Sequence, residues 1–160
     1  MIDYLRIADR SWPVLRRLMS LHAVMYRASG GRIGGRVPGL PAMLLLEHVG
    51  AKTGRRRITP LVYKPHGDDF VIVGAKGGYP RDPGWVHNLR AHPDATIRVG
   101  SEQLAVRARE PVGDERVRLW HEAVAYNPLW GDYQRRTHRN IPLIVLQRAA
   151  EHGDERRDRS

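Results

Sequence analysis

Cysteine is missing from all 160 residues, which removes disulfides, thiolate metal ligands and cysteine nucleophiles from consideration. Long apolar runs are missing too: hydrophobic residues make up 41% of the chain, yet they come only a few at a time. A membrane-spanning helix needs roughly 18 in succession, and the N-terminus has no apolar segment of the secretory kind. The expectation is therefore a cytoplasmic, single-domain protein. The eight histidines form no HExxH or HxH pattern. His87 and His92 read as surface or half-buried imidazoles, and no metal site is expected. Ser20, Ser29 and Ser101 lack the strand–turn–helix setting of a nucleophile elbow, and no carboxylate pair suggests acid–base hydrolysis. An enzyme with so few reactive groups would draw its chemistry from a bound organic cofactor.

Acidic residues are also in deficit, 17 against 27 Lys and Arg, for a net charge of +10. The excess is lopsided. Residues 1–80 hold 13 Lys and Arg against 5 Asp and Glu, and residues 81–160 hold 14 against 12. The basic half is also where glycine-rich segments gather, which points to an anionic ligand, a nucleic acid or an anionic membrane as its partner.

Along the chain, Leu15, Leu18, Met19, His22, Met25 and Tyr26 recur at helical spacing after Pro13, so residues 1–28 read as an amphipathic N-terminal helix. Arg16 and Arg17 beside its apolar face allow a peripheral membrane contact as well as packing on the domain. Ser29 to Pro41 is a loop. Short strands follow over 42–50, 58–67 (broken by its prolines), 68–77, 95–100, 103–111 and 141–149. Turns are expected around Gly67 and at Gly100-Ser101, with short helices within 80–92 and over 113–125. The charged end, 149–160, reads as a disordered tail. Five of the six strands crowd between residues 42 and 110, with little room for crossover helices. The fold class is mainly β with flanking helices, an antiparallel barrel over 29–148.

Three segments carry candidate chemistry. In GAKTGRRRITPLVY (50–63) the spacing fails both the P-loop, which needs GxxxxGK followed by Ser or Thr, and the dinucleotide GxGxxG. What remains is a tight turn with Lys52, Arg55, Arg56 and Arg57 around it: an anion grip or simply a solvated basic turn. In extended chain Arg55 and Arg57 face one side and Arg56 the other, so Arg56 is the cation left out of the grip. In GAKGGYPRDPGWVHNLRAHP (74–93), Lys76 and Gly77-Gly78 follow an apolar strand, and Trp85 and Asn88 share one helix face. Together they fit a planar ligand with an anionic tail, although Trp85 alone could merely cap the core. In AYNPLWGDYQRRTHRNIP (125–142), Tyr126, Trp130 and Tyr133 lie outside any strand and either line an apolar substrate mouth or seal a sheet edge.

These three blocks, in this order, resemble the actinobacterial deazaflavin-dependent nitroreductase family over roughly residues 20–148. The resemblance implies a split β-barrel of the flavin-reductase and pyridoxamine-phosphate-oxidase-like kind, with coenzyme F420 as cofactor. It implies that Lys52, Thr53, Gly54, Arg55 and Arg57 hold the phosphate and oligoglutamate tail, with Thr59 and Pro60 continuing along the cofactor. Ala75, Lys76 and Gly77 would run beside the deazaflavin ring, Trp85 and Asn88 match the family's WxxN, and Tyr126, Trp130 and Tyr133 fall on the substrate side. The implied activity is hydride transfer from reduced F420 to a planar apolar acceptor: a quinone, enone or nitroaromatic. A small-molecule substrate, no nucleic acid and a homodimer are the expected partners. Ala51 departs from the family, where a basic residue often stands, as do Trp130 and Asn127, where aromatics, often tyrosines, are usual. The competing readings are an FMN- or haem-binding barrel, a non-catalytic F420 carrier and a small basic nucleic-acid-binding domain.

Overall fold

The computed structural model describes residues 42–149. The expected helix within 1–28, the loop to residue 41 and the tail beyond 149 lie outside the described residues. Within them run β1 (Met43–Val49), β2 (Arg56–His66), β3 (Asp69–Val73), α1 (Gly84–Ala91), β4 (Asp94–Val99), β5 (Glu102–Arg109), α2 (Gly113–Tyr126), α3 (Pro128–Arg135) and β6 (Leu143–Arg148). The strands close into a barrel in the order β1-β2-β3-β6-β5-β4, every pair antiparallel. No helix among the described residues is long and apolar enough to cross a membrane.

Alternation along the strands fills the barrel. Leu44 and Leu46 of β1, Ile72 of β3, Ile97 of β4, Val106 of β5, and Ile144 and Leu146 of β6 point inward. Helix α1 plugs the interior with Trp85, Val86 and Leu89, three buried side chains at helical spacing. Each fully buried large side chain stabilises by about 1.5–3 kcal/mol, so α1 is a structural stopper before it is anything else. A second core lies outside the barrel, where Val71, Val73, Leu143 and Val145 meet Leu119 and Ala123 of α2 and Trp130 of α3. Strand β6 is therefore covered on both faces, which is why its sequence runs LIVL without a polar alternate.

Two local expectations are corrected. Strand β2 is not broken by its prolines but runs for 11 residues through both. Its first half pairs with β1, Pro60 opposite Leu45, and its second half pairs with β3, Pro65 opposite Phe70. Each proline thus falls where β2 has a strand on one side only, the setting that tolerates a residue without an N–H. The second correction is α3, in a segment expected to hold no regular element. Pro128 and Gly131 read as breakers, yet Asn127 caps the helix by accepting the Leu129 N–H on Oδ1 at 3.3 Å, and Pro128 occupies the first turn.

The antiparallel order decides where the loops meet. Strands β1 and β3 both flank β2 and run the same way, so their C-terminal ends lie at one end of the barrel. The N-terminal ends of β4 and β6 are at that end too. Consequently the β1–β2 turn, the β3–α1 loop with α1, and the α3–β6 connection all gather at one mouth.

Candidate cofactor site

The β1–β2 turn is closed by its own backbone. Gly54 N donates to Gly50 O at 2.8 Å and Gly50 N donates to Arg55 O at 2.9 Å, with Gly54 at φ 63°. Lys52, Thr53, Gly54, Arg55, Arg56 and Arg57 are all exposed. None of these four cations forms an ion pair among the described residues, whereas Arg90, Arg107, Arg109, Arg135 and Arg139 each meet a carboxylate. Four neighbouring unpaired cations repel one another, and an anion placed among them relieves that repulsion. Arg57 stands opposite His48 and lies against Gly50, whose Cβ, if it had one, would be 3.1 Å from Arg57 Nε. Arg56 points to the other face, where it lines a cavity of about 260 Å³ with Glu47, Asp94 and Thr96 that His48 also borders. Thr59 is half-buried on the Arg57 face, and Pro60 is on the opposite one.

The β3–α1 loop carries three successive positive φ values, Lys76 at 46°, Gly77 at 66° and Gly78 at 81°. Lys76 is the one non-glycine residue in that region among the described residues, a strained position of the kind that marks ligand-binding loops. Its ammonium sits 4.9 Å over the Tyr79 ring. Gly78 is needed for close approach: a Cβ there would come within 2.8 Å of Tyr133 O and 2.9 Å of Arg136 Cβ.

Arg139, from the α3–β6 connection, locks this loop. Its Nε donates to Tyr79 O at 2.7 Å, Nη1 to Asp82 Oδ1 at 2.8 Å, and Nη2 to Gly74 O and Ala75 O, both at 2.9 Å. Burial pulls the Arg139 pKa down, and Asp82 opposes that shift. Asp82 also accepts from Arg90, which is bidentate on Glu110. Hydrogen bonding to Glu110 is the largest influence raising the Arg90 pKa. The carbonyl side of the loop is thus occupied, whereas the Lys76 side is exposed.

Helix α1 joins the two loops. Near one end Val86 packs on Gly74, where an added Cβ would meet Val86 Cγ2 at 3.0 Å. Near the other, Asn88 Oδ1 accepts the Ala51 N–H at 2.9 Å, and Asn88 Nδ2 lies 3.0 Å from His48 Nδ1. His48 Nε2 is in turn 3.0 Å from Thr59 Oγ1. His48 is buried; desolvation, then the charge of Arg57, push its pKa down to about 4, so the ring is neutral at pH 7. Trp85 is 7% exposed and belongs to the barrel core, while Asn88 is half-buried beside the cation turn.

The aromatic segment divides. Trp130, read as lining a substrate mouth or sealing a sheet edge, is 5% exposed and packs with Ala75, Val73 and Tyr133 behind the glycine loop. The cause is α3 itself, which turns Trp130 inward and leaves Leu129 outside, while Tyr126 at the end of α2 is also exposed. Tyr126 stacks on Trp130 with ring centroids 6.5 Å apart, and Tyr133 is half-buried under the Arg136 guanidinium. Among the described residues no group of histidines and carboxylates could hold a metal ion.

Sequence reasoning passed over His48 and Arg139. For His48 a signal existed: Leu44, Leu46 and His48 alternate onto one face, which places an imidazole inside the barrel mouth. Arg139 gave none, because its partners are 57 to 65 residues away.

A closed antiparallel barrel whose mouth combines an unpaired cation turn, a strained glycine loop and a helix linking them is the build of a split-barrel cofactor-binding oxidoreductase. The chain belongs to the F420H(2)-dependent quinone reductase family, whose model matches residues 18–148. It is 46% identical over 135 residues to an F420H(2)-dependent quinone reductase of Mycobacterium tuberculosis, covering 82% of this chain and 91% of the relative. Among solved structures it is similar to an F420-H2 dependent reductase (34% identity, TM-score 0.61, 66% of this chain and 93% of that one). It is also similar to a chain described as a domain-swapped dimer (31% identity, TM-score 0.62, 78% and 98%). The expected fold, the F420 cofactor and the reductase class are borne out; of the expected acceptors, the quinone is the one the family carries.

Proposed function

We propose that the barrel mouth binds coenzyme F420 and presents it to a quinone. The observation that supports this is the cluster of unpaired cations on a turn tied through Asn88 to the helix that follows the glycine loop. The spread of charge from Lys52 to Arg57 suits a long anionic tail better than the compact monophosphate of FMN. Lys52 meets the tail first, with Thr53, Gly54, Arg55 and Arg57 around it and Thr59 and Pro60 beyond. Ala75, Lys76 and Gly77 flank the ring, held there by Arg139. Asn88 fixes the turn, and Trp85 supports the loop from the core. When bound in its reduced form the cofactor supplies a hydride, and the quinone takes a proton from water or a tyrosine hydroxyl.

The protein's own work is alignment and exclusion of water, with reacting atoms brought to about 3–3.5 Å. Tyr133 and Tyr126 border the acceptor side, and Trp130 forms the wall behind it. The likeness to a domain-swapped dimer supports a homodimer. An acceptor dissolved in lipid would give the apolar, arginine-flanked face of the helix read from the sequence within residues 1–28 a reason to touch a membrane.

Titration of the protein with oxidised F420 at two ionic strengths, with and without Lys52→Ala, tests the assignment. The substitution should weaken binding and flatten its salt dependence. Equal affinity and equal salt dependence for both proteins would refute it.

A further inference from the structure

The hydrogen bonds from the cation turn into the barrel have one possible polarity. The Ala51 backbone can only donate, so the atom of Asn88 facing it is the carbonyl oxygen Oδ1. The amide nitrogen Nδ2 therefore faces His48 and donates to Nδ1. A neutral imidazole accepting on Nδ1 carries its hydrogen on Nε2, and Nε2 faces Thr59 Oγ1. His48 thus donates to the threonine oxygen, and the hydroxyl hydrogen of Thr59 is left for another acceptor. The Thr59 hydroxyl makes no other hydrogen bond among the described residues. It shares a face with Arg57, one of the unpaired cations.

We propose that His48 is a positioning residue: as its Nε2–H tautomer it occupies the acceptor side of the Thr59 hydroxyl and commits that hydroxyl to donate to an anionic oxygen of the cofactor tail. The proposal rests on the F420 reading above and deepens it. It makes Thr59 a donor by construction, selective for a ligand atom that only accepts. The surroundings keep the ring neutral. It is buried, Arg57 of β2 faces it, and Asn88 of α1 and Thr59 take its two nitrogens. The side cavity that reaches it is lined by Glu47 of β1, Arg56 of β2 and Asp94 of β4. A second proton on the ring would set Nδ1–H against the Asn88 amide hydrogens and undo the contact that holds Ala51.

Two measurements decide it. Long-range ¹⁵N–¹H NMR of the cofactor-free protein at pH 7 should show His48 protonated on Nε2 and bare on Nδ1; the opposite tautomer or a charged ring overturns the proposal. Fluorescence titration should find F420 binding weakened about tenfold or more by Thr59→Val and nearly restored by Thr59→Ser. The deazaflavin riboside without phosphate or glutamates should be indifferent to Thr59→Val. A deazaflavin with the phosphate but no glutamates should keep the loss if the acceptor is the phosphate and lose it if the acceptor is a carboxylate. The loss caused by His48→Ala should be smaller in the Thr59→Val background than in the wild type; fully additive losses overturn the coupling. Wild-type protein that binds no F420 sinks the cofactor reading and the donor role together. Intact wild-type affinity with the wrong tautomer or additive losses sinks the donor role alone.

Discussion

Replacing Arg139 by lysine asks how much of the ring-side loop depends on one guanidinium. Arginine makes four hydrogen bonds here, three to the backbone carbonyls of Gly74, Ala75 and Tyr79 and one to Asp82. Lysine can keep the ion pair with Asp82 but lacks the planar fork that reaches both sides of the loop. Three lost bonds at about 1 kcal/mol net each give a destabilisation of about 3 kcal/mol. For a domain of this size, at about 3 °C per kcal/mol, that lowers the midpoint of thermal unfolding by roughly 10 °C. Circular dichroism melts of the cofactor-free protein read this directly. A parallel titration should show weaker F420 binding, because Lys76 and Gly77 lose the frame that holds their positive-φ conformation. A drop below about 3 °C with unchanged affinity would refute the clamp.

Two further outcomes follow from the same geometry. His48 has a folded pKa of about 4 against an ordinary 6.5, so between those values the unfolded chain binds the extra proton and the folded one does not. Stability is then full above pH 6.5 and is lost as pH falls toward 4, by up to about 1.4 kcal/mol per pH unit; urea midpoints at pH 7 and pH 5 should differ, and His48→Gln should shrink the difference. On the acceptor side, Tyr133→Phe should lower turnover with a quinone more than it weakens F420 binding, whereas Trp130→Ala should lower the unfolding temperature as well; the reverse ordering for Tyr133 would count against its placement.

Much of the barrel was legible because most strands are short, bounded by turn residues and alternate onto the barrel interior. The two-residue turn at Gly100-Ser101 falls where expected, with Gly100 at φ 61°. What is local was legible as structure: the turn 50–57 with its exposed cations, and Trp85 as a cap on the core. Reading failed where a breaker has a second use and where the decisive partner is distant. Pro128 and Gly131 signal a break, yet proline also suits the first turn of a helix capped by Asn127, and Gly131 lets α3 pack close to Val124 of α2. Pro60 and Pro65 break a strand paired on both sides but not one that changes partners between them. His48 and Arg139 join elements 40 and 65 residues apart, beyond any periodicity.

The partner change along β2 has a consequence for how the molecule behaves among its neighbours. Among the described residues each half of that strand has one lateral side without a strand, and such a side is a template onto which another chain can dock by backbone pairing. A proline in each half deletes one donor from the ladder an intruder would need and blunts both openings. The residues that look like flaws in the strand therefore act as guards, keeping a barrel that trades one neighbour for another from recruiting a third.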